Sequence, residues 1–368
     1  MLNRLLSHDL PRSRWLALLL VAIVLALALT PFVFPGTKAL NVAAKVIVFI
    51  VLTASFDLLL GYTGIVSFAH TMFFGIGAYG IAIAATRLGP TWPALALGTV
   101  CALAVSLALA LVIGLFSLRV RAIFFAMITL AVASAFATLA SQLSDFTGGE
   151  DGLSFKVPDA LQPGTSYAAE PVLGASIDGR LLTYYVIFVA AVVLVLLLLR
   201  IVNSPFGRVL QAIRENDFRA EAIGYRIVVY RTLASAISAV FATLAGVLLA
   251  LWLRYNGPDT TLSFEIMLDV LLIVVIGGMG TIYGAIVGST LLVLAQNYLQ
   301  DLMKLAAGAV QDVPLLSQIV SPERWLLWLG VLFVLSVYYF PSGVVGRLRA
   351  LNARRPARSA PARDSPRD

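Results

Sequence analysis

The residues able to do chemistry are few, and most stand in apolar surroundings. Lys45, Asp57, Glu265 and Asp269 are ionisable groups in or near long hydrophobic runs, and His70 is one of two histidines. A carboxylate at membrane depth is costly and is a functional candidate by default, so Asp57 could lie at a translocation path. It could equally accept a hydrogen bond from a neighbouring helix. Lys45 lies twelve residues before it, about 18 Å along a helix, so the two cannot pair within one straight helix. Glu265 and Asp269 share a helix face and read as solvated near the outer end of their span. His70 reads as a helix–helix hydrogen bond or a proton relay, and no second ligand has the spacing of a metal site.

Two glycine-rich stretches surround these groups. The first, GYTGIVSFAH at residues 61–70 continuing to FFGIGAYG at 73–80, breaks up a membrane segment and offers Tyr62, Thr63, Ser67 and His70 as polar groups. Irregular backbone at membrane depth is tolerated only inside protein or beside a wet cavity, which makes these residues path candidates. Close helix packing through Gly75, Ala78 and Gly80 is the competing reading. The second stretch, IGGMGTIYGAIVG at residues 276–288, carries Gly277, Gly278 and Gly280. It resembles a phosphate cradle only superficially, because no GxxxxGK[ST] occurs in the chain and ATP binding is therefore not expected. Two spans meet there in a tight turn or a re-entrant hairpin. No HExxH, CxxC or nucleophile elbow is present, so neither an enzyme, a cofactor nor a metal is expected.

The elements that hold these residues are membrane helices. Of 368 residues, 60% are hydrophobic and only 12% charged, against about 25% charged in soluble domains. Apolar runs at residues 15–34, 40–60, 65–86, 92–118, 122–143, 181–199, 232–253, 264–282, 283–299 and 324–340 give about ten spans. The first has basic residues before it but is longer than a signal-peptide core, and reads as a retained span. The single cysteine, Cys101, lies inside an apolar run and permits no intrachain disulfide. The net charge of +7 does not point to nucleic acid, because the bases sit in loops that alternate with the spans. With both termini cytoplasmic, 18 of the 26 Lys and Arg fall inside, and the acidic loop at 144–180 falls outside.

The largely basic polar island, residues 201–231, is therefore cytoplasmic. It holds Arg208, Arg214, Arg219, Arg226 and Arg231 with Glu215, Asp217 and Glu221 among them. Residues 211–224 predict one short amphipathic helix, with Leu210, Ile213, Ala220 and Ile223 on its apolar face and Gly224 as its stop. Such a helix is a handle for a soluble partner. The competing reading is a solvated basic loop held by anionic lipid.

Three motifs occur in order: FDLLLGYTGIVSFAHTMFFGIGAYG, RENDFRAEAIGY and VIGGMGTIYGAIVGS. Together they resemble the LivM-like branch of branched-chain amino acid ABC transporter permeases, over about residues 40–340. The resemblance implies an all-α polytopic permease with glycine-broken helices in the bacterial inner membrane. It also implies a LivH-type second permease, two cytoplasmic ATPase subunits that hydrolyse ATP, and a periplasmic solute-binding protein. The island then matches the family's ATPase-coupling region, with Glu221, Ala222 and Gly224 preceded by Arg208, Arg214, Glu215 and Asn216.

The expected organisation is a cytoplasmic N-terminus at 1–14, a transmembrane domain at 15–340 and a disordered basic tail at 341–368. A neutral-lined path suits a zwitterion, and it also suits urea or a short amide. Readings of another class are an ion-coupled transporter using Asp57 and a membrane scaffold that recruits a soluble protein through the island.

Overall fold

The computed structural model describes residues 14–34, 36–117, 122–167, 176–309, 321–340 and 342–353. Among these, ten helical stretches are long and apolar enough to cross a membrane. The helices are α1 (Arg14–Val33), α2 (Thr37–Thr63), α3 (His70–Leu88), α4 (Trp92–Ser117), α5 (Ala122–Gln142) and α6 (Gly179–Asn203). Two short helices follow, α7 (Pro205–Glu215) and α8 (Asp217–Ala222). The chain continues through α9 (Ile227–Leu253), α10 (Phe264–Gly277), α11 (Ile282–Ala309), α12 (Trp325–Tyr339) and α13 (Gly343–Ala353).

The two most apolar spans are among the less buried. The most apolar spans, α6 at a mean hydropathy of 3.0 and α1 at 2.9, lie at the periphery, with 28% and 22% of their windows buried. Helix α3 is less apolar, at 1.3, and 72% buried. Lipid solvates Leu and Val faces well, whereas interior contacts favour small residues and hydrogen-bonding side chains. Helix α2 forms the centre, 94% buried and surrounded by α6, α9 and α11.

A close helix contact joins α3 to α9 through reciprocal glycines. A Cβ on Gly77 would lie 1.9 Å from the Thr243 carbonyl oxygen, and one on Gly246 would lie 1.9 Å from that of Phe74. Hydroxyls tie the same region together: Ser238 Oγ donates to the Ser55 carbonyl at 2.6 Å, and Thr243 Oγ1 to Ser106 Oγ at 2.6 Å.

The ends of the helices sort into two sets. At one end, α7 reaches the end of α2, and the turn between α10 and α11 touches the start of α13. At the other, Arg180 donates to Asn41 at 2.9 Å and Lys38 pairs with Asp301. There too β1 (Leu153–Ser154) pairs with β2 (Tyr255–Asn256). This is the alternation of loops expected from ten crossings.

Several expectations are corrected. The third helix starts at His70 rather than residue 65, because Gly64 (φ 73°) ends α2 and residues 64–67 are not helical. In the loop at 144–180, for which no fold was expected, the described residues pack on α3 and α9 and bury Phe155, Val157 and Leu161. The tail expected to be disordered from residue 341 contains α13, which packs on α10 and α11 with Val345 fully buried; residues 354–368 lie outside the described residues, as do 1–13.

The α3–α9 contact leads to a stability prediction. Gly246→Ala is expected to cost about 1–3 kcal/mol, since overpacking against backbone cannot relax by side-chain rotation. Thermal unfolding of the detergent-purified protein reads this as a clear drop in Tm, and an unchanged Tm would show that the helices can separate at no cost.

Candidate functional site

Asp57 lies on α2, one turn before Gly61 and 1% exposed. Its Oδ1 accepts the Gly280 backbone N–H at 2.9 Å. Gly61 makes this approach possible: a Cβ there would lie 2.2 Å from Asp57 Oδ1 and 2.3 Å from Gly280 N. Gly280 itself has φ 79°, the left-handed region that disfavours a side chain. Asp57 Oδ2 is buried with no hydrogen-bond partner among the described residues.

Arg214 enters the same junction from α7. Its Nη1 donates to the Gly61 carbonyl oxygen, and its Cγ would lie 3.3 Å from a Cβ on Gly64. A cation bonding the last carbonyls of a helix satisfies an orphan acceptor and complements the negative end of the helix dipole. A Cβ on Gly280 would stand 2.9 Å from both Arg214 Nη1 and the Gly61 oxygen. Across the turn, a Cβ on Gly278 would lie 2.9 Å from the Ser342 oxygen, and one on Gly277 would lie 2.0 Å from the Gly284 oxygen. The turn at 278–281 is thus held by α2, α7 and the entry to α13.

The other path candidates are differently employed. His70 Nε2 lies 2.8 Å from Ser55 Oγ and 3.2 Å from the Leu52 oxygen, joining α3 to α2. Ser55 Oγ donates to the Leu52 oxygen at 2.7 Å. Thr63 donates to the Leu59 oxygen at 2.7 Å within its own helix, while Tyr62 and Ser67 are buried. Among the described residues no three of His, Cys, Asp and Glu are grouped to hold a metal. Lys45, Glu265 and Asp269 stand at the opposite end of the helices, around a cavity.

The island is two helices, not the single helix expected over 211–224. Ser204 caps α7 through Gly207 N, and Pro205 occupies its first turn. This Ser-Pro pair is a start signal that the reading from Gln211 missed. Gly207 permits the chain to fold back, since a Cβ there would lie 1.8 Å from the Val202 oxygen. Asn216 is extended (φ −160°) and breaks the helix; its side chain caps α8 by accepting from Arg219 N at 2.9 Å. Gly224 (φ 97°) ends α8 in a Schellman turn, with Tyr225 N bonding the Ala220 oxygen at 3.1 Å and Gly224 N the Glu221 oxygen at 2.9 Å.

Leu210, Ile213 and Ala220 are buried, but Ile223, expected on the same face, is 70% exposed because the break rotates it outward. Phe218, which sequence reasoning passed over, is 82% exposed. Arg208, Glu215, Glu221 and Ala222 are also exposed, and Arg231 binds both Asp217 oxygens at 2.9 Å, tying α8 to α9.

The Asp57–Gly280 bond is testable by two substitutions. Asp57→Asn keeps an acceptor for the Gly280 amide and is expected to be mild. Asp57→Leu strands that amide and is expected to cost about 1–3 kcal/mol. Thermal unfolding of the two variants checks the order, and equal losses would mean that the bond does not hold the turn.

No solved structure matches the chain. Residues 38–337 match the model of the family described as "Branched-chain amino acid transport system / permease component". The chain is 26% identical over 346 residues to the "High-affinity branched-chain amino acid transport system permease protein LivM" of Salmonella typhimurium, covering 90% of this chain and 75% of the relative. It is 27% identical over 345 residues to the protein of that name in Escherichia coli, with the same coverage. To the "Probable branched-chain amino acid transport permease protein LivM" of Methanocaldococcus jannaschii it is 28% identical over 218 residues, 59% of this chain and 58% of the relative. With ten membrane-crossing stretches and a family match spanning most of its length, the chain belongs to the permease components of branched-chain amino acid transport systems.

Proposed function

We propose that this protein is one of two permease subunits of an ATP-driven importer of branched-chain amino acids. Its partners are a LivH-type permease, two cytoplasmic ATPase subunits and a periplasmic solute-binding protein, in the inner membrane. Both termini and the island at 201–231 face the cytoplasm, and the loop at 144–180 faces the periplasm. The arginine distribution supports this orientation. The relatives' names favour branched-chain amino acids over urea or short amides.

One observation carries the coupling role: a short helix pair displays Phe218 and Ile223 outward while anchored inward by Leu210, Ile213 and Arg214. An exposed aromatic on a rigid, hydrogen-bonded support suits insertion into a partner's groove. Closure of an ATPase pair around α8 would then push on three connections. Arg231 leads to α9, Arg214 to the end of α2, and Gly280 to the turn between α10 and α11. Asp57 has one oxygen committed to a backbone amide, an arrangement better suited to holding the turn than to carrying an ion.

Crosslinking in membranes containing the whole transporter tests this. On a Cys101→Ser background, single cysteines at Phe218, Glu221 and Ile223 are expected to form ATPase adducts whose yield changes with nucleotide. Cysteines at Leu210, Ile213 and Ala220 should not. Phe218→Ala is expected to weaken ATPase association about tenfold or more, as for a central aromatic contact. Cysteines at 218, 221 and 223 that react freely with a water-soluble reagent and crosslink to nothing would refute the coupling role.

A further inference from the structure

At the end opposite the island, α2 presents a polar stripe to a cavity. Lys38, Asn41 and Lys45 recur at three- and four-residue steps and so share one helix face. Facing them are Glu265 and Asp269, one turn apart on α10. Between these two faces lies a cavity of about 660 Å³, within the roughly 300–1,000 Å³ usual for small-molecule sites. Val42, Phe49, Trp252 and Ile266 supply apolar walls.

The charges around this cavity do not close on one another. Lys38 is taken by Asp301, and Asn41 Oδ1 accepts from Arg180, leaving the Asn41 amide hydrogens free to donate. Asp269 Oδ1 accepts from neutral Gln296 at 2.8 Å. Lys45 lies 5.3 Å from the Phe49 ring centre, and among the described residues neither it nor Glu265 has an ion-pair partner. Lys45 stands about 12 Å along α2 from its first residue, and Asp269 about 8 Å along α10. Lys45 and Asp269 are half-buried while Glu265 is exposed, and charges of opposite sign in or near a span normally pair, because unpaired charge there is costly. Held apart across a cavity, they complement a ligand that carries both signs itself.

We infer that this cavity is a binding site for an α-amino acid zwitterion on its way into the transporter. The ligand carboxylate would meet Lys45 Nζ and the Asn41 amide. Its ammonium would meet Glu265 and the second oxygen of Asp269, and its aliphatic side chain would lie against Val42, Trp252 and Ile266. Urea or a short amide would leave both sets of charges unmatched. The assignment rests on the permease function proposed above and gives it a substrate class that the cavity itself selects.

The test uses the complete transporter, with its ATPase subunits and binding protein, in proteoliposomes. Lys45→Met and Asp269→Asn are each expected to lower leucine uptake at least tenfold, while Lys45→Arg keeps it within threefold and ATP hydrolysis stays within twofold. A second measurement leaves Lys45 intact. A reporter cysteine, Thr260→Cys on a Cys101→Ser background, is placed among the cavity-lining residues. Its reaction with a cationic thiol reagent is expected to slow at least threefold with leucine, and not with isoamylamine or 4-methylpentanoate, which each lack one charge. Wild-type uptake by both Lys45→Met and Asp269→Asn, or equal protection by the singly charged analogues, overturns the site. Protection by short-chain phosphatidylethanolamine instead of leucine also overturns it, making the cavity a lipid-headgroup site. A wild-type assembly without ATP-driven uptake refutes the permease reading alone, because leucine protection of the cysteine still decides the cavity.

Discussion

A carboxylate buried at the heart of a membrane helix needs an acceptor role or a neutralising partner, and Asp57 has the former through the Gly280 amide. In a medium of low polarity a hydrogen bond to a charged group is strong, and losing it is correspondingly costly. Three other features depend on that bond. Gly61 must lack a side chain for Gly280 to arrive, Gly280 must adopt a positive φ, and Arg214 then finds the Gly61 oxygen uncovered. The result is that α2, α7, α10 and α11 share one fixed point.

Around this point the helices follow the logic of lipid as solvent. The two most apolar spans, α1 and α6, turn Leu and Val outward, and the interior holds buried Ser, Thr and His beside close-packed glycines. His70 fits this pattern: its ring nitrogen joins α3 to α2 through Ser55, a polar contact between buried helices. The reciprocal glycines of α3 and α9 serve the same end by letting backbones touch where no hydrophobic force draws helices together.

Helix α2 connects the two ends of the molecule. Lys45 near its start faces the cavity, and Asp57, about 18 Å further on, holds the turn at the opposite end. An almost wholly buried helix transmits displacement as a rigid body, since close-packed neighbours leave it no room to bend locally. Occupancy of the cavity and movement of the island, as proposed here, would thus act on the same element.

What the sequence determined by itself is the set of properties that sum locally. About ten spans, their alternation and the stop at Gly224 follow from residue type over one to twenty positions, because transfer to lipid and helix capping are local free energies. The three motifs likewise pointed to the permease family. Only the tertiary structure decided what those residues touch. For Asp57 the sequence left open a path role or a hydrogen bond to a neighbouring helix, and for Arg214 it offered a partner contact; the structure supplies their contacts, a glycine turn 223 residues from the one and an oxygen 153 residues from the other. The break at Asn216 had a local signal, the Asn cap on Arg219 N, that was overlooked, whereas the exposure of Phe218 and Ile223 and the helix after residue 343 were missed for a related reason. Each of the latter depends on which backbone approaches which, to within a few tenths of an ångström. Composition carries no record of that distance.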